Sequence, residues 1–102
     1  MDSKELKEYI IKNNLIEDVL EKIGCHSFMD CSSDIRCALP DDDNPTKVSV
    51  NKEDLRVRIF TSGESVYGDL YNLIMYINKC KFKDAFDLCC NILKVDKSYK
   101  SN

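Results

Sequence analysis

The sequence lacks the features that would place it in or across a membrane. Its 102 residues contain no run of about 18 apolar residues, the length that a bilayer-spanning helix needs. The opening stretch, MDSKELKEY, also lacks the basic-then-apolar order of a signal peptide. We therefore expect a cytoplasmic protein with no membrane contact.

The groups that usually carry out catalysis are scarce as well. His26 is the only histidine, and no cysteine has a recognisable histidine and acid partner. The segment SGESVYGD lacks the lysine and the spacing of a phosphate-binding loop. Asp41, Asp42 and Asp43 offer oxygen ligands, but consecutive side chains point in different directions and the pattern of a calcium loop is absent. The sequence therefore predicts a protein that is not an enzyme and holds no cofactor.

An excess of positive charge is the third absence. The chain has 15 Lys and Arg against 18 Asp and Glu, which gives a net charge of −3. Proteins that coat nucleic acid by bulk attraction usually carry a large positive excess, so any such contact must come from a local patch. Hydrophobic residues make up 43% of the chain, which suffices for one globular domain over residues 1–95, and we expect a disordered tail over residues 96–102.

Six cysteines are present, but the secreted context that would favour a disulfide framework is missing. Free thiols are therefore expected. Cys89 and Cys90 are neighbours on a predicted helix, where Cys89 fits a buried small apolar position better than a ligand role.

Apolar residues recur at helical spacing at both ends of the chain. Asp2, with Glu5 three residues later, predicts the start of a first helix, and Asn14 with Glu17 predicts the start of a second that ends at Gly24. Near the other end, Gly68-Asp69 predicts the start of a third helix. The apolar stripes of the last two predicted helices are formed by Leu70, Leu73, Ile74 and Ile77, and by Phe82, Ala85, Phe86, Cys89 and Leu93.

Between residues 25 and 60 the apolar period changes to two, which predicts short antiparallel strands. Their expected bounds are Ser27–Cys31, Asp34–Leu39, Thr46–Val50 and Leu55–Phe60. The next segment, TSGESVYGD, is expected to be a loop. The predicted fold class is α+β, a small antiparallel sheet of three to five strands flanked by N-terminal and C-terminal helices.

Alternation along these strands also predicts what lies on each face. The core face should hold Ile35, Cys37, Leu39, Val48, Val50, Leu55, Val57 and Ile59. The exposed face should gather Arg36, Lys47, Ser49, Arg56, Arg58 and Phe60. Cations beside an aromatic ring are what single-stranded nucleic acid needs, although exposed strands also carry Lys and Arg for solubility and to discourage edge pairing.

Three segments in order, CALPDDDNPTKVSV, GDLYNLIMYI and CKFKDAFDLCCNIL, resemble the zinc-binding domain at the N-terminus of bacterial and phage DNA primases. The resemblance covers residues 15–95 and implies a zinc-ribbon-like primase finger. That family holds its zinc with a Cys-x2-His pair and a Cys-x2-Cys pair.

Most of these zinc ligands have no counterpart here. Cys37 falls on the first ligand position, but Pro40 stands at the histidine position, and Ile59 and Ser62 stand where the second pair would be. Buried aliphatic residues such as Ile59 would then replace part of the stabilisation that zinc supplies. A site rebuilt from Cys25, His26, Cys31 and Cys37 is the alternative, although its spacing is wider than that of a zinc knuckle.

The resemblance implies a non-catalytic DNA-binding module that acts in replication of a phage or other mobile element. Single-stranded DNA is its expected partner, bound through Arg36, Lys47, Arg56, Arg58 and Phe60. The alternative is a metal-free interaction module that docks on a replication enzyme or regulator. The sequence indicates no oligomeric state.

Overall fold

The fold is an open five-stranded antiparallel sheet, preceded in the chain by two helices and followed by two more. The structure is a computed structural model that describes residues 2–61 and 63–95, and the predicted tail over residues 96–102 lies outside them. The elements are α1 (Ser3–Lys12), α2 (Ile16–Lys22), β1 (His26–Asp30), β2 (Asp34–Ala38), β3 (Val48–Asn51), β4 (Arg56–Thr61), β5 (Glu64–Asp69), α3 (Leu70–Asn78) and α4 (Phe82–Leu93). The predicted α+β class is confirmed.

Each strand of the sheet pairs with its neighbours in the sequence, so the strand order is β1-β2-β3-β4-β5. Val50 is the partner of both Ile35 on β2 and Val57 on β4. Because side chains alternate along a strand, this register aligns residues of one face in rows across the sheet.

One face of the sheet is covered by the helices. The residues predicted for the core face are all at most 7% exposed. The residues that the helices turn toward them are equally buried, including Leu6, Ile10, Val19, Leu20, Leu73, Ile74, Ala85 and Cys89. These side chains belong to one hydrophobic cluster. Their burial is the main stabilising term of the fold, and it leaves the opposite face of the sheet uncovered.

The predicted helix starts at Asp2 and Asp69 are confirmed. Each carboxylate accepts a hydrogen bond from the backbone three residues later, at Glu5 and Asn72, whose side chains bond back to the cap. Gly24, with φ of +103°, follows the last turn of α2 and ends the helix, as predicted. The Tyr71 hydroxyl donates to the Ser3 carbonyl at 2.6 Å, which joins α3 to the start of α1.

Two helix predictions are wrong in detail. Asn14 does not cap α2, since it takes a left-handed conformation with φ of +59°, and the N-cap is Leu15, which makes no side-chain bond. Asn tolerates this conformation better than most residues, so it serves the turn instead. Phe82 was predicted to pack inward, but it is 46% exposed because it lies in the first turn of α4.

Two strand predictions also need correction. β3 begins at Val48 rather than Thr46, because the Asn44 side chain accepts bonds from the Thr46 amide and hydroxyl and holds that residue in a turn. The predicted loop TSGESVYGD contains β5, which pairs with β4 from Thr61–Glu64 to Arg56–Asp69. Gly63, with φ of +90°, lies in the connection between them.

Candidate nucleic-acid interface

The uncovered face of the sheet, hereafter the open face, presents its side chains in two neighbouring rows. The register places one row across all five strands, in the order Met29, Arg36, Ser49, Arg58 and Tyr67. The second row contains the paired residues Asp34 and Asn51, followed by Arg56 and Asp69, which pair with each other. Of the predicted site residues, the structure therefore brings Arg36, Arg56 and Arg58 together.

Arg58 lies between two aromatic rings on the open face. Its guanidinium carbon is 4.4 Å from the centre of the Phe60 ring and 5.4 Å from that of Tyr67. Its Nε also lies 3.3 Å from the Ser65 hydroxyl oxygen. Contacts of this kind between a cation and a ring stabilise the side chain's position while the guanidinium keeps its charge.

The other three predicted cations each have a carboxylate partner. Arg36 Nε is 3.0 Å from Asp34 Oδ2. Lys47 Nζ is 3.5 Å from an Asp42 oxygen. Arg56 Nε is 3.7 Å from an Asp54 oxygen. Arg58 alone among the four has no carboxylate within 4.0 Å in residues 2–61 and 63–95.

These ion pairs differ in how firmly they hold the cation. The Arg56 side chain is 84% exposed, so water screens its pairing with Asp54 and leaves it free to exchange partners. Lys47 is the least exposed of the four and lies at the edge of the open face, beside the acidic turn formed by residues 41–43. The predicted basic patch is therefore weaker than a count of its cations implies, and its charge is concentrated at Arg56 and Arg58.

Asp34 organises the centre of the open face. Its Oδ2 accepts hydrogen bonds from Ser49 Oγ at 2.5 Å and from Arg36 Nε at 3.0 Å. The bond from Ser49, with smaller effects of Arg36 and Lys52, holds the pKa of the Asp34 carboxyl below its ordinary value. Asp34 is thus ionised at neutral pH, and it fixes the position of Arg36.

Tyr67 is not among the predicted site residues, yet it is the most exposed large apolar side chain in the described part of the chain, at 69%. The glycines and serines of this segment predict a loop. The alternation of Ser65, Tyr67 and Asp69 with Val66 and Gly68 was the available sign of a strand. The acid partners were likewise visible as the repeated pattern Asp-x-Arg at Asp34 and Asp54.

Two shallow concavities lie on either side of the Arg56 and Tyr67 side chains. One, of about 400 Å³, lies between the two rows and includes Ser33, Asp34, Asn51 and Arg58 in its lining. The other, of about 480 Å³, lies toward the helices and is lined by Lys7, Asp69 and Asn72 among others. Tyr67 therefore forms a ridge between them.

The acidic turn is held by contacts of Asp42 with residues that follow it in the chain. Asp42 accepts a hydrogen bond from the Asn44 amide at 2.9 Å, which with Lys47 holds the pKa of its carboxyl below the ordinary value. Asp41 and Asp43 are exposed, as in a solvated turn.

The four residues of the alternative zinc site do not form one cluster. Cys25 and Cys37 are both buried, and the neighbouring Cys25 side chain together with burial raises the pKa of the Cys37 thiol above its ordinary value. His26 instead contacts Ser27, and the Cys31 thiol faces the Met29 carbonyl. Among the described residues, no group of three or more His, Cys, Asp or Glu side chains is placed to hold a metal ion. The fourth ligand position of the resemblance, Ser62, lies outside those residues.

Comparison of the chain with protein-family models, with curated proteins and with solved structures found no match. In the described part of the chain no helix has both the length and the apolar character needed to cross a bilayer.

Proposed function

We propose that this chain is a non-catalytic module that binds single-stranded DNA on the open face of its sheet. The observation that carries the proposal is Arg58, a cation without a carboxylate partner in the described residues, held between Phe60 and the exposed ring of Tyr67. A single strand is bound by cations along its phosphates and by aromatic rings against its bases, and this cluster offers both within one side-chain length.

The layout of the open face supports a strand that runs across the sheet. Arg36 and Arg58 alternate with Ser49 in one row, and Tyr67 ends that row. The phosphates would contact the two arginines and Arg56, while a base stacks on Tyr67. The resemblance to primase zinc-binding domains favours DNA as the ligand and replication of a phage or mobile element as the setting.

The experiment is a fluorescence anisotropy titration of a labelled single strand of about 15 nucleotides, repeated between about 50 mM and 200 mM salt. Arg58→Ala should weaken binding and reduce the slope of log K against log salt by about 0.7, the contribution of one phosphate contact on a single strand. Tyr67→Ala should weaken binding by about 1–3 kcal/mol through loss of stacking.

Lys83→Ala is the matched control, because it removes one exposed positive charge from α4 rather than from the sheet. It should leave both the affinity and the salt slope unchanged. Equal losses for Arg58→Ala and Lys83→Ala would show that binding follows total charge, and an absence of salt-sensitive binding would refute the proposal.

A second candidate is a protein-docking module that contacts a replication enzyme or regulator. The acid partners of Arg36, Lys47 and Arg56 favour it, since a face of paired charges suits a protein surface better than a polyanion. Purification of the tagged chain from nuclease-treated extract distinguishes the two: a protein that remains bound to the wild type and is lost with Tyr67→Ala supports docking on the open face.

A further inference from the structure

The 400 Å³ concavity between the two rows of the open face contains hydrogen-bonding groups that the fold does not use. Asp34 Oδ2 accepts both bonds described above, whereas Oδ1 accepts none from the residues that the structure describes. On the paired strand, the Asn51 side-chain oxygen accepts from the Glu53 and Asp54 amides, which leaves its Nδ2 as a donor. A free acceptor and a free donor therefore stand side by side.

The register fixes these two groups on neighbouring strands. Asp34 and Asn51 are directly opposite each other in the pairing of β2 with β3, so their side chains leave the same face of the sheet at adjacent positions. The Asp34 side chain is 14% exposed, which limits access to a flat group that enters from above. Tyr67, Arg56 and Arg58 line the same concavity.

The size and lining of this concavity suit one nucleotide. Its volume lies near the lower end of the range for small-molecule sites, about 300–1,000 Å³. A base that stacks on Tyr67 would have its phosphate near Arg56 or Arg58 and its polar edge toward Asp34 and Asn51. The charged acceptor then determines which base fits.

We infer that this concavity is a base-reading subsite that prefers a nucleobase with an exocyclic amino group, so that cytosine binds better than thymine. The inference rests on the proposed single-strand binding. Cytosine presents an amino donor beside a ring-nitrogen acceptor, which match Asp34 Oδ1 and Asn51 Nδ2. Thymine can place its N3–H on Oδ1 and one carbonyl on Nδ2, but its second carbonyl oxygen then lies beside the charged carboxylate, where cytosine has no carbonyl.

The test compares oligo-dC and oligo-dT of about 12 nucleotides by anisotropy at about pH 7.5. Both are pyrimidine strands, so the rings that stack on Tyr67 have the same size. The wild type should bind oligo-dC about tenfold more tightly, which is within the range of discrimination that a two-point contact to a base edge supplies.

Asp34→Asn should bring the dC to dT ratio close to one, because the free oxygen loses its charge. The same variant releases Arg36 from its counter-ion and should strengthen binding of both strands, so the ratio and not the affinity is the readout. Asp42→Asn is the control, since it removes another ion-paired carboxylate outside the concavity, and it should keep the wild-type ratio.

A change in the ligand tests the same contact without relying on the folding of a variant. An oligonucleotide in which 2-pyrimidinone, which lacks the amino group, replaces cytosine should bind the wild type as weakly as oligo-dT. A dC to dT ratio near or below one, or a ratio unchanged by Asp34→Asn, would overturn the subsite while leaving single-strand binding intact. Failure of both strands to bind would overturn the proposed function and the subsite together.

Discussion

The two faces of this sheet are built from alternate residues of the same five strands, and they differ in almost every property. Val57 is 4% exposed and packs against the helices, while its neighbour Arg58 is exposed between two rings. The covered face is apolar and belongs to one cluster. The open face carries charged pairs and aromatic groups that make no such core. A change of one position along β4 therefore separates residues that determine the fold from residues available for binding.

The largest test of this contrast places the same charge on each face. Val57→Asp would bury an unpaired carboxylate in the core and should destabilise the fold by more than about 4 kcal/mol. Arg58→Asp should remain folded and lose its binding to single-stranded DNA. Urea unfolding followed by circular dichroism measures the first effect, and anisotropy measures the second. A cooperative, near-native unfolding curve for Val57→Asp would break the comparison.

Two tyrosine hydroxyls allow a finer test. Tyr71→Phe removes the bond from the hydroxyl to the Ser3 carbonyl, so it should cost about 1 kcal/mol. Tyr67→Phe removes an exposed hydroxyl on the open face and should change stability by less than about 0.5 kcal/mol. Both values come from urea denaturation. Equal losses of unfolding free energy in the two variants would mean that the Tyr71 bond does not stabilise the contact between α1 and α3.

Acid should remove the contribution of Asp34 to the stability of the folded protein. Its folded-state pKa is depressed below the ordinary 3.8, so its contribution to stability is present above about pH 4 and is lost as pH falls through the folded pKa. The stability difference between wild type and Asp34→Asn should therefore shrink in that acid range. Thermal unfolding at a series of pH values measures this stability difference. A difference that grows as pH falls would contradict a folded-state pKa below the ordinary value.

The smallest effect concerns thiol reactivity rather than stability. Cys25, Cys37, Cys89 and Cys90 are buried, while Cys31 and Cys80 are partly exposed. Burial also raises the pKa of the Cys89 thiol to about 12, which suppresses the reactive thiolate. A colorimetric thiol reagent should modify two cysteines quickly in the folded protein and four more only on unfolding. Rapid reaction of Cys37 in the native state would show that the covered face opens easily.

Much of the fold could be predicted from the sequence because its apolar residues recur at regular spacing, every second residue in the strands and every three or four in the helices. Apolar residues alternate with polar ones along the strands, and this correctly predicts that the core face holds Ile35, Val48, Val50, Val57 and Ile59. The acidic residues Asp2 and Asp69 likewise predict two helix starts correctly. The strand β5 was missed because Gly and Ser lower strand propensity, and here pairing with β4 outweighs that preference.

The candidate site was only partly predictable for a related reason. Alternation identified Arg36, Arg56 and Arg58 as residues of one face, but it says nothing about which of them a neighbouring carboxylate neutralises. The contact of Tyr67 with Arg58 depends on the register between β4 and β5, which follows from a turn at Gly63 that was not recognised. The resemblance to primase zinc-binding domains stays a prediction, as does the function drawn from it.

The central claim is that the open face, and not the helices, binds single-stranded DNA. The most direct measurement is an NMR titration of the isotopically labelled chain with an unlabelled oligo-dC strand, followed through backbone amide shifts. The account predicts the largest changes at Arg36, Ser49, Arg58 and Tyr67. Largest changes along α3 and α4, or no change at oligonucleotide concentrations that saturate other single-strand binders, would contradict it.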